Sequence, residues 1–201
     1  MAADAGLRMM PSRLLEGETA THFLTERFDR RDGEKVHIQT LAAMKPSADS
    51  YEDLFDTAHR IGVPPAELQQ LFRLMVMNVL GGNVDDHNKN FSFMMGQDGE
   101  WHVAPAYDYT FTVDTDAPYY VNRHSMAVNN KTEDITADDL MEIARKYDIR
   151  AAEPFIKKAV ETVSNYAEYA RKAGIGEAWI GMIEQEIAAR VECLDGKDKK
   201  G

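Results

Sequence analysis

Cysteine is nearly absent. Cys193 stands alone among 201 residues, so no internal disulfide can form, and a reducing compartment, the cytoplasm, is the natural reading. Long apolar runs are absent as well: none approaches the roughly 20 residues of a membrane span. The opening stretch, MAADAGLRMMPSRLL, lacks the basic start and apolar core of a secretion signal. Positive charge is in deficit, with 23 Lys and Arg against 34 Asp and Glu and a formal net charge of −11. Broad binding to nucleic acid or to an anionic membrane needs the opposite sign, so neither is expected as a direct partner. The rest is an ordinary globular composition, 44% hydrophobic and 28% charged, in a chain long enough to bury a core. One domain over residues 1–195 is expected, with the polar end DGKDKKG frayed as a disordered tail over 196–201.

Patterning predicts a mainly α chain with small β elements. Residues 1–15 read as the end of a helix, and HFLTERFDR (22–30) alternates as a strand does. RDGEK (31–35) is a turn, VHIQTLAAM (36–44) reads as helical, and KPSADSYED (45–53) is a loop entering a short helix. The clearest helix is PPAELQQLFRLMVMNVL (64–80). Its prolines sit at the start, where they are tolerated, and Gly81-Gly82 stops it. FSFMM (91–95) and WHVA (101–104) flank GQDGE as a hairpin. PYYVNRHSMAVNN (118–130) is a loop with a strand. Thr136 caps a helix, Ile156 to Ala170 line a second and Ile180 to Leu194 a third.

The densest polar stretch is GGNVDDHNKNFSF, directly after the apolar helix. Asp85 and Asn90 lie five residues apart, and Asp108 comes 18 residues after Asn90, across the hairpin. An Asp–Asn loop, a hairpin and a further Asp is the layout of a phosphoryl-transfer site: the first Asp accepts a hydroxyl proton, and the Asn and second Asp hold Mg²⁺. Magnesium takes hard oxygen ligands, which these side chains supply. Taken alone, the cluster is equally the turn that ends a helix. An EF-hand is excluded by its spacing, and a zinc site wants more nitrogen or sulfur than His87 supplies. His102 reads as a surface or packing residue of the hairpin.

Three ordered motifs, TERFDR, NVDDHNKNFSF and PAYDY, together resemble the HipA family of bacterial toxin kinases. The loop also resembles that of the wider phosphatidylinositol-kinase-like group. The match runs through Asp85, His87, Lys89, Asn90, Phe91 and Ser92, then Pro105, Tyr107 and Asp108, and HSMAVNNKTEDITADDLMEIARKYDI (124–149) is similar to the family's C-terminal lobe. The resemblance implies a kinase-like C-terminal lobe with hinge strand and catalytic hairpin retained. It implies ATP and Mg²⁺ as cofactors and a serine/threonine protein kinase as the activity. By the same resemblance Asp85 is the catalytic base, Asn90 and Asp108 hold the metal, and His87 supports the loop. Glu26 and Phe28 cradle adenine, and Asp29 takes the ribose. Implied partners are a protein substrate, an aminoacyl-tRNA synthetase among them, and a HipB-like DNA-binding antitoxin.

Two departures qualify the expectation. Only Arg8 and Arg13 among the residues before Glu26 carry a full positive charge, and no glycine-rich phosphate loop is found. The family's N-terminal lobe is therefore expected to be missing, supplied by a separate polypeptide or lost. The alternatives to an active kinase are the C-terminal half of a split kinase and a pseudokinase-like binding module. Asp86 replaces a small residue of the family loop and is expected to add a carboxylate beside the base.

Overall fold

The computed structural model of the chain describes residues 1–31, 33–114 and 122–196. The expected disordered tail lies outside the described residues except for Gly196, and part of the 118–130 stretch does too.

One helix organises the rest. In α3 (Pro65–Gly81) every residue from Leu74 to Gly81 is buried, which marks a helix enclosed on all sides rather than one riding on a surface. Around it pack α2 (Tyr51–Arg60), α5 (Ala152–Val163), α7 (Glu177–Leu194) and the strand β7 (Trp101–Val103). α4 (Ala137–Lys146) lies against α5, and α6 (Tyr166–Lys172) against α7. Helix starts obey local chemistry. Ser50 accepts the Asp53 N–H at the head of α2. Thr136 and Asp139 cap one another's backbone at the head of α4, each satisfying an amide with no intrahelical partner.

The β content is small and divided. β5 (His37–Thr40), β6 (Ser92–Met95) and β7 form an antiparallel sheet in the order β5-β6-β7, with His37 opposite Met95 and Phe93 opposite Val103. β1 (Ser12–Glu16) and β2 (Thr21–Thr25) form a separate ribbon, and β3 (Arg30–Arg31) and β4 (Glu34–Lys35) a minimal hairpin.

Four expectations need correction. Residues 1–15 are not the end of a helix: a turn leads into β1, and Ala106 N–H bonds to Arg8 O at 2.8 Å. The strand expected over 22–30 stops at Thr25, and the chain turns at Phe28–Asp29. The helix expected over 36–44 is half strand, because His37–Thr40 find their ladder partners in β6, and cross-strand pairing outweighs intrinsic preference. Only α1 (Leu41–Met44) is helical there, capped by the Thr40 hydroxyl. The second C-terminal helix is two, α5 and α6. Between them Asn165 turns its side chain back on the Glu161 carbonyl at 2.8 Å, a local bond that competes with helix continuation.

Candidate functional site

The end of α3 decides where the polar loop goes. Gly82 takes the left-handed conformation, φ 68°, which glycine adopts without strain. Gly81 and Gly82 also leave room for the segment beyond the hairpin. A Cβ on Gly81 would lie 2.1 Å from the Tyr109 hydroxyl, and one on Gly82 would lie 2.9 Å from the Phe111 ring. Tyr109 uses this gap to donate to the Met77 carbonyl at 3.1 Å. The segment after Asp108 is thereby laid over the helix end.

Thr112 fastens that segment to the loop. Its hydroxyl accepts the N–H groups of Val84 at 2.8 Å and Asp85 at 3.1 Å, while its own N–H bonds to Gly82 O at 3.0 Å. Asn83 adds a bond to the Asp108 carbonyl at 3.5 Å. Asp85 and Asp108 thus sit on two backbone stretches held side by side. Both side chains are accessible, Asp85 at 62%, and Asp108 has φ 53°, a conformation rare outside glycine and enriched in Asp and Asn. Asn90 donates its amide to the Asp85 carbonyl at 3.0 Å. That commits the nitrogen and leaves the amide oxygen available, the hard donor that magnesium takes. His87 holds the loop through its carbonyl, which accepts the Asn90 N–H at 2.9 Å.

The adjacent aspartates part company. Asp86 is fully buried and does not stand beside Asp85 as a second surface carboxylate. Its Oδ2 accepts from the Tyr51 hydroxyl at 2.7 Å and His124 Nδ1 at 2.9 Å. Its Oδ1 accepts from the backbone of Ser125 at 2.8 Å and Met126 at 3.3 Å. Burial, and then the Asp86 carboxylate, push the Tyr51 hydroxyl far above its usual range, so it stays a donor. Asn78 donates to Tyr51 at 2.9 Å and accepts from Asn83 at 3.1 Å, which closes a polar chain through the core. Tyr51, Asn78, Asn83 and Thr112 were not among the residues singled out from sequence. The signal available for Asn78 was a polar residue inside an apolar helix face; Thr112 carried none.

The 26–30 turn meets the loop through aromatics. Phe28 stacks on Tyr107, ring centroids 5.6 Å apart, and Tyr107 donates to the Lys89 carbonyl at 2.8 Å and lies 2.5 Å from Ser92 Oγ. Glu26 spends its N–H on Pro11 O at 3.0 Å. Asp29 is gripped by Arg27, at 2.7 and 2.6 Å, and by Arg30 at 2.6 Å. The Arg27 hydrogen bonds hold the Asp29 carboxyl down at about 2, against the opposing effect of burial and with further help from Arg30. The carboxylate offered for a ribose is already paired. His102 is paired as well: it meets Glu67 at 2.7 Å, at the head of α3.

Among the described residues no three His, Cys, Asp or Glu side chains group to hold a metal. Asp108 and Asn90 suit the other kind of site, in which one or two protein oxygens share a magnesium ion with substrate phosphates.

A helical lobe with its hairpin, and a polar loop clamped to the segment beyond that hairpin, has the build of a kinase C-terminal lobe. Residues 1–173 match the HipA-like C-terminal domain, and the chain belongs to that family. Y4mE of Sinorhizobium fredii, which bears the name of a kinase, is 26% identical over 129 aligned positions, and the match covers 56% of this chain and 30% of Y4mE. The fold is similar to that of HipA of Shewanella oneidensis, solved with HipB and operator DNA: TM-score 0.68, 20% identity, 95% of this chain and 53% of HipA. It is also similar to the proinflammatory kinase CtkA of Helicobacter pylori: TM-score 0.67, 13% identity, 96% of this chain and 77% of CtkA. The chain thus spans about a third of Y4mE and about half of HipA. Among the described residues no helix is long and apolar enough to cross a membrane.

Proposed function

We propose that this chain is the catalytic lobe of a HipA-type protein kinase, which transfers the γ-phosphate of Mg²⁺-ATP to a serine or threonine hydroxyl. The observation that carries the reading is the Thr112 clamp, which seats the Asp85 loop against the Asp108 segment. Asp85 takes the acceptor hydroxyl's proton on its carboxylate as that oxygen bonds to the γ-phosphorus and the bond to the bridging oxygen of ADP breaks. Asp108 and the Asn90 amide oxygen would hold magnesium, which would offset phosphate charge. Glu26 and Phe28 flank the adenine. Asp29 reaches a ribose only if Arg27 or Arg30 lets go. A HipB-like antitoxin is the partner suggested by the complex in which the Shewanella protein was solved.

One observation favours a lobe that works together with another body. The β1–β2 ribbon is exposed on both faces, with Leu14 57% and Phe23 70% accessible, and an isolated two-stranded ribbon is marginal in water. A further polypeptide segment covering the ribbon accounts for both the exposure and the greater length of the relatives. The pseudokinase-like module is the reading that remains if no such segment restores transfer.

The test is nucleotide titration with and without Mg²⁺, alongside γ-phosphate transfer by the chain alone and with a relative's N-terminal segment added. Asp85→Asn is expected to bind Mg²⁺-ATP and transfer nothing, whereas Asp108→Asn loses the magnesium-dependent part of binding. Equal loss of affinity in both variants contradicts the assigned roles.

A further inference from the structure

We propose that Arg190 and His124 are positioning residues for the loop that carries Asp85, which makes the C-terminal helix α7 a brace of the site. The catalytic consequence rests on the kinase reading above; the brace itself does not. α7 (Glu177–Leu194) lies beyond the residues matched by the family, so nothing in that match assigns it a role.

A fully buried carboxylate such as Asp86 is costly unless hydrogen-bonded and balanced by a cation. Its four donors are a phenol, an imidazole and two backbone N–H groups; among the described residues no lysine or arginine touches it. One step further stands Arg190. His124, with its side chain 3% exposed, turns Nδ1 to Asp86 at 2.9 Å and Nε2 to Arg190 Nη1 at 3.5 Å. With Arg190 donating to Nε2, the ring proton belongs on Nδ1, where it meets Asp86. The imidazole therefore passes the guanidinium's polarity to the buried carboxylate.

Arg190 is itself well held. Its side chain is 14% exposed, Nε meets Glu186 at 2.9 Å, and Nη1 also donates to the Val79 carbonyl at 3.2 Å. That carbonyl belongs to the last turn of α3, where carbonyls lack helical partners and a cation is favoured. One guanidinium thus joins α7, the end of α3 and the ring that grips the loop. A cavity of about 90 Å³ lies beside it, lined by Val79, His124, Glu133, Ile135, Glu186 and Arg190 among others. The polar bonds carry the coupling. Asp85 is one peptide from Asp86, so a tilt of the buried residue moves the exposed one.

The test uses the full chain and three variants: Arg190→Met, which removes charge and keeps bulk; Arg190→Lys, which restores charge; and Glu192→Ala, an exposed control on α7. Amide hydrogen exchange over residues 84–88 is compared with global stability from urea unfolding. Arg190→Met is expected to speed loop exchange by roughly tenfold beyond its effect on global unfolding. Arg190→Lys should recover part of this, and Glu192→Ala should change nothing. Loop exchange that merely tracks global stability overturns the brace. If Arg190→Met does not fold, Asp86→Asn is added to it. Removing the unbalanced charge should restore folding, and a double variant no better than the single overturns the proposal. In an active kinase, Arg190→Met should lower kcat while leaving the KM for nucleotide near that of the parent. An unchanged kcat also counts against the brace. A chain that shows the exchange response but transfers no phosphate even with a relative's N-terminal segment added keeps the brace and removes the kinase reading.

Discussion

Substituting alanine at Gly81 sets two effects against each other, and the magnitudes decide between them. Alanine stabilises a helix interior by roughly 0.5–1 kcal/mol over glycine, and less at a last residue such as Gly81. Against this, the new Cβ would lie 2.1 Å from the Tyr109 hydroxyl and 3.2 Å from its Cζ. Tyr109 is pinned by its bond to Met77 O, so it cannot swing away without losing about 1 kcal/mol of hydrogen bonding. Overpacking of this kind costs about 1–3 kcal/mol. Gly81→Ala should therefore destabilise by about 2 kcal/mol, lowering Tm by roughly 4–8 °C for a chain of this size.

The same geometry sets a rescue. Tyr109→Phe removes the oxygen at 2.1 Å and leaves the carbon at 3.2 Å, a close contact that small shifts absorb. Alone it should cost about 1 kcal/mol for the lost bond. Combined with Gly81→Ala it should be no worse than Gly81→Ala itself, giving a favourable coupling of about 1 kcal/mol in a double-mutant cycle. Chemical denaturation of the four proteins measures this. A neutral or stabilising Gly81→Ala, or strictly additive effects, refutes the claim that the glycine exists to admit Tyr109.

Asp139 provides an acid-side prediction. Burial disfavours its charge, but Lys131, the Thr136 backbone and Asn129 outweigh burial and hold its carboxyl down at about 2. A depressed carboxyl contributes stability above its unfolded value, here near 3.8, and loses it as pH falls from there through about 2. Asp139→Asn should thus cost about 2 kcal/mol at neutral pH and converge on the parent in strong acid; a pH-independent difference in urea midpoint contradicts this. Phe23→Asp, on the open ribbon, should leave the unfolding free energy measured in urea within about 0.5 kcal/mol of the parent. A large stability loss would mean that the ribbon packs against the lobe. In Arg27→Ala the Asp29 carboxyl should titrate upward from about 2 by carbon NMR, and an unmoved value removes Arg27 as the cause.

Legibility depended on the range of the interactions. α3, α7 and the β6–β7 hairpin were readable because periodicity and turn residues are local, and the Thr136 cap announces α4 in the same way. β1 and β5 were not, since each is a strand only by virtue of a partner elsewhere, β6 in the case of β5. The site divides similarly. Asp85, Asn90 and Asp108 stand out as a spaced set of oxygen donors. The group that clamps two of their backbone stretches together, Thr112, reaches Asp85 across 27 residues, and nothing in a single threonine advertises that.

The pair Asp85-Asp86 makes the limit concrete. In sequence the two are interchangeable carboxylates, and proximity suggests a shared role. In the fold the loop leaves the helix after Gly82, and the two neighbouring side chains turn to opposite sides. One faces solvent and the other meets Tyr51, His124 and two backbone amides in the core. A kinase base must be open to its substrate, and it must also be held still, because positioning supplies much of the rate in phosphoryl transfer. An exposed side chain cannot satisfy both demands by its own contacts. Here the second demand falls to its neighbour, whose four hydrogen bonds anchor the backbone from which Asp85 projects. Asp86→Ala and Asp85→Ala should accordingly fail in different ways. Loss of Asp86 strands the Tyr51 hydroxyl and His124 in the core, at about 1–3 kcal/mol for each unpaired group, and loosens the loop. Loss of Asp85 leaves stability nearly unchanged and, on the proposed kinase reading, removes only the proton acceptor. Thermal unfolding of the two variants separates the roles without any assay of catalysis; equal destabilisation would mean that the loop is not anchored from behind.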